Sequence, residues 1–212
     1  MAKSKLKKVL NYFRNYKISR LLLAMQHQGY FIETGWIKSY KNRSPVDADD
    51  NPIPWTTYAY ISFIQEYLKD HHIVFEFGAG NSTFYYAKRV KQLYSVEHNK
   101  EWFHKIAAKK PANAALLYKE LDHNYTETIQ EIDTPFDVVI IDGRKRVECI
   151  EKSIDCLAEN GIIVLDDSER REYYPGIELL NSKGFKRLDF WGISPGYFHN
   201  KCTSVFFKDL VL

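Results

Sequence analysis

The stretch IVFEFGAGNS, Ile73 to Ser82, decides how this chain is organised. Three apolar residues lead into Glu76, Phe77 follows, and the run breaks at Gly78-Ala79-Gly80 before Asn81-Ser82-Thr83. A short apolar, β-branched and aromatic run that ends in glycines and a Ser/Thr cap predicts a buried strand turning into a helix. The glycines permit a tight turn and a close approach of backbone to ligand, and a helix start near Ser82 offers free N–H groups. These features describe a nucleotide- or cofactor-binding turn.

A dinucleotide-binding turn has the form G-x-G-x-x-G, its third glycine allowing close helix–strand packing. Thr83 stands at that third position here, which argues against a nicotinamide cofactor. Glu76, two residues before Gly78, gives E-x-G-x-G instead. A carboxylate there suits a cationic ligand and repels a diphosphate. With this motif the chain resembles the class I S-adenosylmethionine-dependent methyltransferases, whose first motif has the form E/D-x-G-x-G. The resemblance implies S-adenosylmethionine as cofactor, with Glu76, Gly78, Ala79, Gly80, Ser82 and Thr83 around it. A purely structural turn is the alternative for the motif alone.

A helix over Ser82–Lys91 and a second strand, Leu93–Val96, lead to Glu97. An acid at that strand end, about 20 residues beyond the glycine turn, can accept both hydroxyls of a ribose. Dehydrogenases share the device, so Glu97 points to an adenosine ligand more than to methyl transfer. His98 lies next to it, and Asp122, after the third strand, is a candidate contact to the adenine amino group.

The totals bound the class. With 212 residues, 45% hydrophobic and 27% charged, the chain has one sizeable core and the composition of a soluble globular protein. A net charge of +3 is too small to argue for nucleic acid. Cys149 and Cys156 lie seven apart on an expected helix, ~10 Å at ~1.5 Å rise per residue, too far for a disulfide. Together with Cys202 they show no metal spacing. No apolar run reaches a membrane span and no signal-peptide core precedes the domain, which gives a cytoplasmic expectation.

Residues 1–20 carry seven Lys and Arg and no acid, with apolar residues at roughly helical spacing. This basic amphipathic segment reads either as a surface helix docked on the domain or as a peripheral contact with an anionic membrane at its inner face. From Gly29 to Pro54 periodicity disappears among prolines, glycines and Asp/Asn residues, but Tyr30, Phe31, Trp36, Tyr40 and Trp55 argue for order. That connection is expected to be an irregular cap over the cofactor cleft, with Trp36 and Trp55 as candidate substrate contacts. The expected division is 1–70 as N-terminal helix and cap, and 71–212 as the cofactor-binding domain.

After a helix over Thr57–Leu68, strands and helices alternate: a helix Lys100–Lys110, a strand Ala114–Lys119, a short helix Tyr125–Ile132 and a strand Phe136–Ile141. A helix Val147–Leu157 ended by Asn160-Gly161 precedes a strand Ile162–Leu165, and a helix Tyr174–Lys183 precedes strands Phe185–Phe190 and Thr203–Lys208. The prediction is an α/β fold: a seven-stranded, doubly wound, mostly parallel sheet with a terminal antiparallel hairpin. That ending resembles the methyltransferase version of the Rossmann sheet and implies its strand order, 3-2-1-4-5-7-6, over Ile73 to Lys208.

Ligands of such sheets lie at the C-terminal strand ends, where the winding reverses. Asp142 ends the fourth strand, and Asp166 and Asp167 end the fifth. The three acids resemble those of metal-dependent O-methyltransferases of the catechol and caffeoyl-CoA type, which carry Asp after strand four and Asp-Asn after strand five. The resemblance implies Mg²⁺, or Ca²⁺ as a substitute, held by Asp142, Asp166 and Asp167; Asp167 departs from the family's Asn. A metal would lower the pKa of an acceptor hydroxyl, and without one Asp142 is the candidate general base. Asp142 and Asp167 are thus the catalytic candidates. The alternative is that Asp166 and Asp167 cap the next segment and pair with Arg170 or Arg171.

Arg144-Lys145-Arg146 and Arg170-Arg171 surround these acids. Arg144, Lys145, Arg170, Tyr173 and His199 are candidate contacts to an anionic acceptor such as a uronate, a phosphate or a sugar nucleotide; solvated helix-start residues are the equal alternative. The function expected is methyl transfer, with O-methylation of a small-molecule or glycan hydroxyl as the leading form. The alternatives are an aminopropyl transferase of the spermidine-synthase type and a non-catalytic cofactor-binding module at a membrane surface.

Overall fold

The computed structural model describes residues 16–210. The basic segment expected over 1–20 therefore lies mostly outside the described residues. Its visible end opens α1 (Tyr16–Ala24), which buries none of its residues. Among the described residues no helix is long and apolar enough to cross a membrane.

The connection expected to be irregular contains two short helices, α2 (Tyr30–Glu33) and α3 (Trp36–Asn42). Elements of four and seven residues are too short for helical periodicity to show in sequence. Gly35, at φ 74°, is the N-cap of α3, and a Cβ there would lie 2.2 Å from the Asp47 carbonyl carbon. The order expected from the aromatics is real. Trp36 is buried, and its Nε1 donates to the Tyr197 carbonyl at 3.1 Å.

Next comes α4 (Tyr58–Tyr67), capped by Thr57, whose hydroxyl accepts from the Tyr60 N–H. The alternation follows: β1 (Ile73–Phe77), α5 (Asn81–Ala87), β2 (Gln92–Glu97), α6 (Lys100–Ala107), β3 (Ala114–Tyr118) and β4 (Phe136–Ile141). Then come α7 (Arg146–Ser153), β5 (Leu157–Asp166), α8 (Tyr174–Ser182), β6 (Lys186–Gly192) and β7 (Lys201–Phe207). The sheet runs β3-β2-β1-β4-β5-β7-β6, with β7 antiparallel to both neighbours. This is the order and the hairpin expected from the sequence.

Side-chain alternation splits the core in two. Val74, Leu93, Val138, Ile140 and Val164 pack with Tyr60, Ile64 and Tyr86 on one face. Phe75, Phe77, Val139, Ile141 and Leu165 pack with Ile129, Ile150 and Leu180 on the other. Successive strand residues point to opposite faces, so a sheet covered on both sides reads as a continuous apolar run.

Several expected elements end differently: the helices expected to reach Lys91 and Lys110 stop at Ala87 and Ala107, and the strand expected from Ile162 starts at Leu157. Tyr125–Ile132 is not an α-helix; only a 3₁₀ turn, Glu127–Glu131, forms there. The helix expected to reach Leu157 ends at Ser153 with one further turn, because Leu157 already pairs with Phe136 in the sheet. Asn160-Gly161, expected as a helix stop, instead lies in a register shift between the Phe136–Leu157 and Val138–Ile162 pairs. Glycine is needed there, since a Cβ on Gly161 would come within 2.6 Å of the Phe136 carbonyl oxygen.

Close crossing at the top of the sheet demands glycine once more. A Cβ on Gly143 would lie 2.1 Å from the Tyr125 hydroxyl and 3.0 Å from the Phe77 carbonyl oxygen. Gly143→Ala is expected to cost about 1–3 kcal/mol in chemical denaturation. Tyr125→Phe, which removes the crowding hydroxyl, is expected to recover part of that loss in the double variant. Equal stability of Gly143→Ala and wild type contradicts this packing.

Candidate active site

The glycine turn is built around a buried acid. Glu76 points to the same face of the sheet as Val74, under α5 rather than toward solvent, and is fully buried. Its carboxylate accepts hydrogen bonds from the hydroxyls of Ser82, of Thr83 at 2.7 Å and of Ser95 at 2.7 Å. Thr83 Oγ1 in turn accepts the Gly80 N–H at 3.0 Å. Burial raises the Glu76 carboxyl to about 7 against these three hydroxyls, which favour its ionised form. Glu76 and Thr83, both expected at the cofactor, therefore reach the cleft only through the turn they shape. Strand parity explains this, since a side chain two residues before Gly78 alternates away from the cleft.

Gly78 has φ 94°, and a Cβ there would meet the Asp142 carbonyl oxygen at 3.0 Å. It is required by the crossing of the turn over the end of β4. Gly80 is different: its Cβ would meet nothing nearer than Ser82 Oγ at 4.0 Å, so the backbone there faces open space. That space belongs to a cleft of about 920 Å³, lined on this side by Gly78, Ala79, Gly80, Asn81 and Ser82. A volume of this size is that of a cofactor-plus-substrate site.

Glu97, at the end of β2, lines the same cleft. Its two carboxylate oxygens accept the Ala79 N–H at 3.1 Å and the Asn99 N–H at 2.7 Å. Two backbone donors fix the group and leave acceptor capacity for a ligand's hydroxyls. His98 lies beside it, with Nδ1 3.1 Å from Glu97 Oε1, and also lines the cleft. The donor set therefore fits an adenosine with a ribose diol. Asp122 does not: its side chain is exposed in the loop after β3, 3.6 Å from Lys145 Nζ, and it does not line the cleft.

The opposite wall holds Asp142, Gly143 and Asp167. Asp142 Oδ1 is 3.0 Å from Arg146 Nη2, and its side chain is 26% exposed. Loss of solvent and the neighbouring Asp166 raise it to about 7, while Arg146 and Lys201 act in the other direction. Asp166 is buried behind it, accepting from Lys201 Nζ at 2.5 Å and from Thr203 Oγ1 at 2.7 Å. Burial raises its carboxyl against the pull of Lys201. Asp167 is also desolvated, but Lys201, Arg146 and Arg170 together hold it below the ordinary carboxylate range. Lys201 and Arg146 are raised in turn, because the acids outweigh the burial that opposes their charge.

The three acids do converge, but on cations of the chain itself. Among the described residues no three His, Cys, Asp or Glu side chains are grouped so as to hold a metal ion. Lys201 Nζ sits 2.5 Å from Asp166 and 2.7 Å from Asp167, where a divalent cation would need those same oxygens. The residues do not fit Mg²⁺ or Ca²⁺. Asp166, expected as a ligand, does not line the cleft at all.

Of the acceptor candidates, Trp55, Arg144, Lys145, Arg170 and Tyr173 line the cleft. Trp36 does not; it is packed in the cap against Phe31, Tyr40 and Phe198. His199 lies beyond Tyr197 in the β6–β7 loop and also stays outside. The cap itself reaches the site: Asn81 Nδ2 donates to Ser44 Oγ at 3.0 Å and to the Pro45 carbonyl at 2.7 Å. Arg43, Ser44, Pro45, Trp102 and Tyr197 also line it and carry no motif that sequence reasoning could have used; Arg146, Val147, Glu148 and Glu172 complete the lining. Lys201 could have been found only from the antiparallel register Asp166–Thr203, which sets the start of β7 beside the end of β5.

Residues 75–168 match the model of a family described as a methyltransferase domain. No curated protein matches the sequence. Among solved structures, a candidate caffeoyl-CoA O-methyltransferase from Staphylococcus aureus aligns over 90% of this chain and 98% of its own, at 13% identity and a TM-score of 0.58. The precorrin 8W decarboxylase of Methanobacterium thermoautotrophicum aligns over 80% of this chain and 98% of its own, at 14% identity and 0.56. A Streptococcus mutans protein solved with SAH bound aligns over 69% of this chain and 93% of its own, at 13% identity and 0.50. At such identities the likeness is one of fold. The fold is that of the class I S-adenosylmethionine-dependent methyltransferases, as the motif at Glu76 to Gly80 implied.

The buried Glu76 carboxyl has a measurable consequence. Its folded value of about 7 lies above the ordinary 4.5, so between those values the unfolded chain has lost its proton and the folded chain has not. Stability therefore falls as pH rises from 4.5 to 7 and then levels off. Glu76→Gln is expected to flatten that fall by about 3 kcal/mol in denaturation at stepped pH. An unchanged pH slope contradicts the raised Glu76 carboxyl.

Proposed function

We propose that this chain is an S-adenosylmethionine-dependent O-methyltransferase acting on a small anionic acceptor or glycan. The observation that carries the reading is the pairing, across one cleft, of a backbone-anchored Glu97 with a partly exposed Asp142. Glu97 takes the ribose, Gly80 leaves room for the cofactor's backbone-side contacts, and His98 lies against the base. Acids on both walls suit a ligand that carries a positive charge. The cofactor, when bound, supplies an electrophilic methyl group on a sulfonium.

The chain's own task is to position the acceptor hydroxyl and take its proton. Asp142 is placed for both. A carboxyl titrating near 7 is a better base for a neutral-pH reaction than an ordinary aspartate, and Arg146 at 3.0 Å fixes its direction. The proton lost by the acceptor goes to Asp142, and the charge this removes from the carboxylate leaves Arg146 to Asp167 at 3.5 Å.

The anionic class rests on cations of the cleft that no carboxylate among the described residues neutralises. Arg43 and Arg144 line the cleft and pair with no carboxylate among the described residues. A second recess of about 610 Å³, lined by Tyr40, Lys41, Arg43, Trp55 and Tyr197, opens beside the first and shares Arg43, Trp55 and Tyr197 with it. Trp55 and Tyr197 lie with ring centroids 5.3 Å apart, tilted by 33°. Exposed aromatic faces next to a guanidinium suit a ring, such as a sugar, that bears a phosphate or carboxylate.

Calorimetry and transfer of a labelled methyl group test this together. Glu97→Ala is expected to weaken S-adenosylmethionine by about 1.5–3 kcal/mol. Asp142→Asn is expected to lower turnover ~10²–10⁴-fold with little change in cofactor affinity. Wild-type turnover is expected to rise with pH through about 7 as Asp142 ionises. Phosphorylated or carboxylated hydroxyl acceptors are expected to outrun neutral ones. A protein that binds no S-adenosylmethionine contradicts the reading at its root.

A further inference from the structure

The sequence pattern that resembles metal-dependent O-methyltransferases departs from it at one position, Asp167 in place of Asn. The structure supplies that extra negative charge with a partner. Lys201, at the start of β7 and 6% exposed, lies between Asp166 and Asp167 at 2.5 and 2.7 Å. Arg146, at the start of α7, reaches Asp142 at 3.0 Å and Asp167 at 3.5 Å, and also donates to the Asp166 main-chain carbonyl. Arg170 closes Asp167 from outside at 2.7 Å. Three carboxylates thus face three cations.

We infer that Lys201 is a tethered replacement for the divalent ion, holding Asp166 and Asp167 in place and, with Arg146, orienting Asp142. The geometry favours this over coexistence. A divalent ion on the Asp166 and Asp167 oxygens would sit beside an ammonium that already contacts both, and like charges at that range repel strongly in a buried site. A buried lysine whose acids were taken by a metal would be an unpaired charge, which is costly. Asp167 is held in a left-handed backbone conformation, φ 53°, which Asp and Asn both tolerate. An Asn there would keep the backbone, but it would leave Lys201 with one fewer negative partner. The aspartate and the lysine therefore make sense only together. Lys201 also lies within 3.4 Å of the Trp55 carbonyl, tying the cluster to the cap. Lys201 is a positioning residue here, since it does not line the cleft.

The claim that the cluster holds no divalent ion is independent of the methyl-transfer reading; only the claim that Asp142 is being oriented for catalysis rests on it. The test is Mn²⁺ binding to the full chain, read by loss of the free-ion paramagnetic signal, with melting temperature as a second readout. Wild type and Lys201→Arg are expected to bind no Mn²⁺ tighter than about millimolar, and to melt at the same temperature with and without it. Lys201→Ala leaves three acids short of a cation. It is expected to bind Mn²⁺ at least about tenfold more tightly than wild type and to be stabilised by it. Adding Asp166→Asn is expected to abolish the gain. Micromolar Mn²⁺ binding by wild type that Asp166→Asn removes overturns the inference. So does a Lys201→Ala protein that neither binds Mn²⁺ nor gains thermal stability from it, whether or not it folds without the ion. Once methyl transfer is measured, turnover unchanged in excess chelator agrees with the inference, and turnover lost in chelator and restored by Mg²⁺ overturns it. Neither Mn²⁺ readout involves S-adenosylmethionine, so failure here and failure of the proposed activity are separate results.

Discussion

A carboxylate buried at the end of the first strand must find donors, and how Glu76 finds them shapes everything above the sheet. Its partners come from two elements, Ser82 and Thr83 on α5 and Ser95 on β2, so satisfying one group fixes where the chain leaves β1 and how α5 begins. A buried polar group left without partners costs several times what an ordinary hydrogen bond contributes, which makes this arrangement hard to exchange for another. The glycine turn is then held from its other side by Glu97, which takes the Ala79 N–H. Two acids on adjacent strands, one sunk in the core and one facing the cleft, set the position of the turn between them.

The far wall uses charge in a different way. Asp142, Asp166 and Asp167 sit at neighbouring strand ends because β4 and β5 are parallel and paired up to Ile141 and Leu165. Such a gathering of like charges survives folding only with counter-cations, and Arg146 from α7 and Lys201 from β7 arrive from opposite directions. The antiparallel last strand thus closes the electrostatics of the site as well as the sheet. The cap enters through Asn81 and through Trp55, whose indole donates to the Pro195 carbonyl at 2.7 Å. These contacts tie the cap to both walls of one cleft.

Much of the fold was legible in the sequence because it depends on local pattern. Val138–Ile141 is buried on both faces and reads as an unbroken apolar run, and the bounds expected from it, Phe136–Ile141, match the strand. The final hairpin followed from the lack of room for a helix between the last two strands. What escaped depended on partners distant in sequence. Leu157 joins a strand because Phe136 is its neighbour, and no local signal separates it from the helix before it. Lys201 looks like a loop lysine until the register of β5 and β7 brings it against two acids. Glu76 is legible as an acid at the strand end, but its burial under α5, with Ser82, Thr83 and Ser95 as donors, depends on partners that the motif does not name. Asp122 failed for a simpler reason, since a residue in a loop carries no periodic constraint that aims its side chain.

The central claim is that one cleft, walled by Glu97 and Asp142, holds an adenosine cofactor with its reactive end toward the acids of β4 and β5. A crystal structure of the full chain with S-adenosylhomocysteine tests this most directly. The account predicts both ribose hydroxyls on the Glu97 carboxylate, the ligand backbone against Gly78 to Gly80, and the sulfur facing Asp142, with Lys201 still between Asp166 and Asp167. A ligand bound elsewhere, or bound in the cleft with its ribose away from Glu97 and its sulfur away from Asp142, would contradict it.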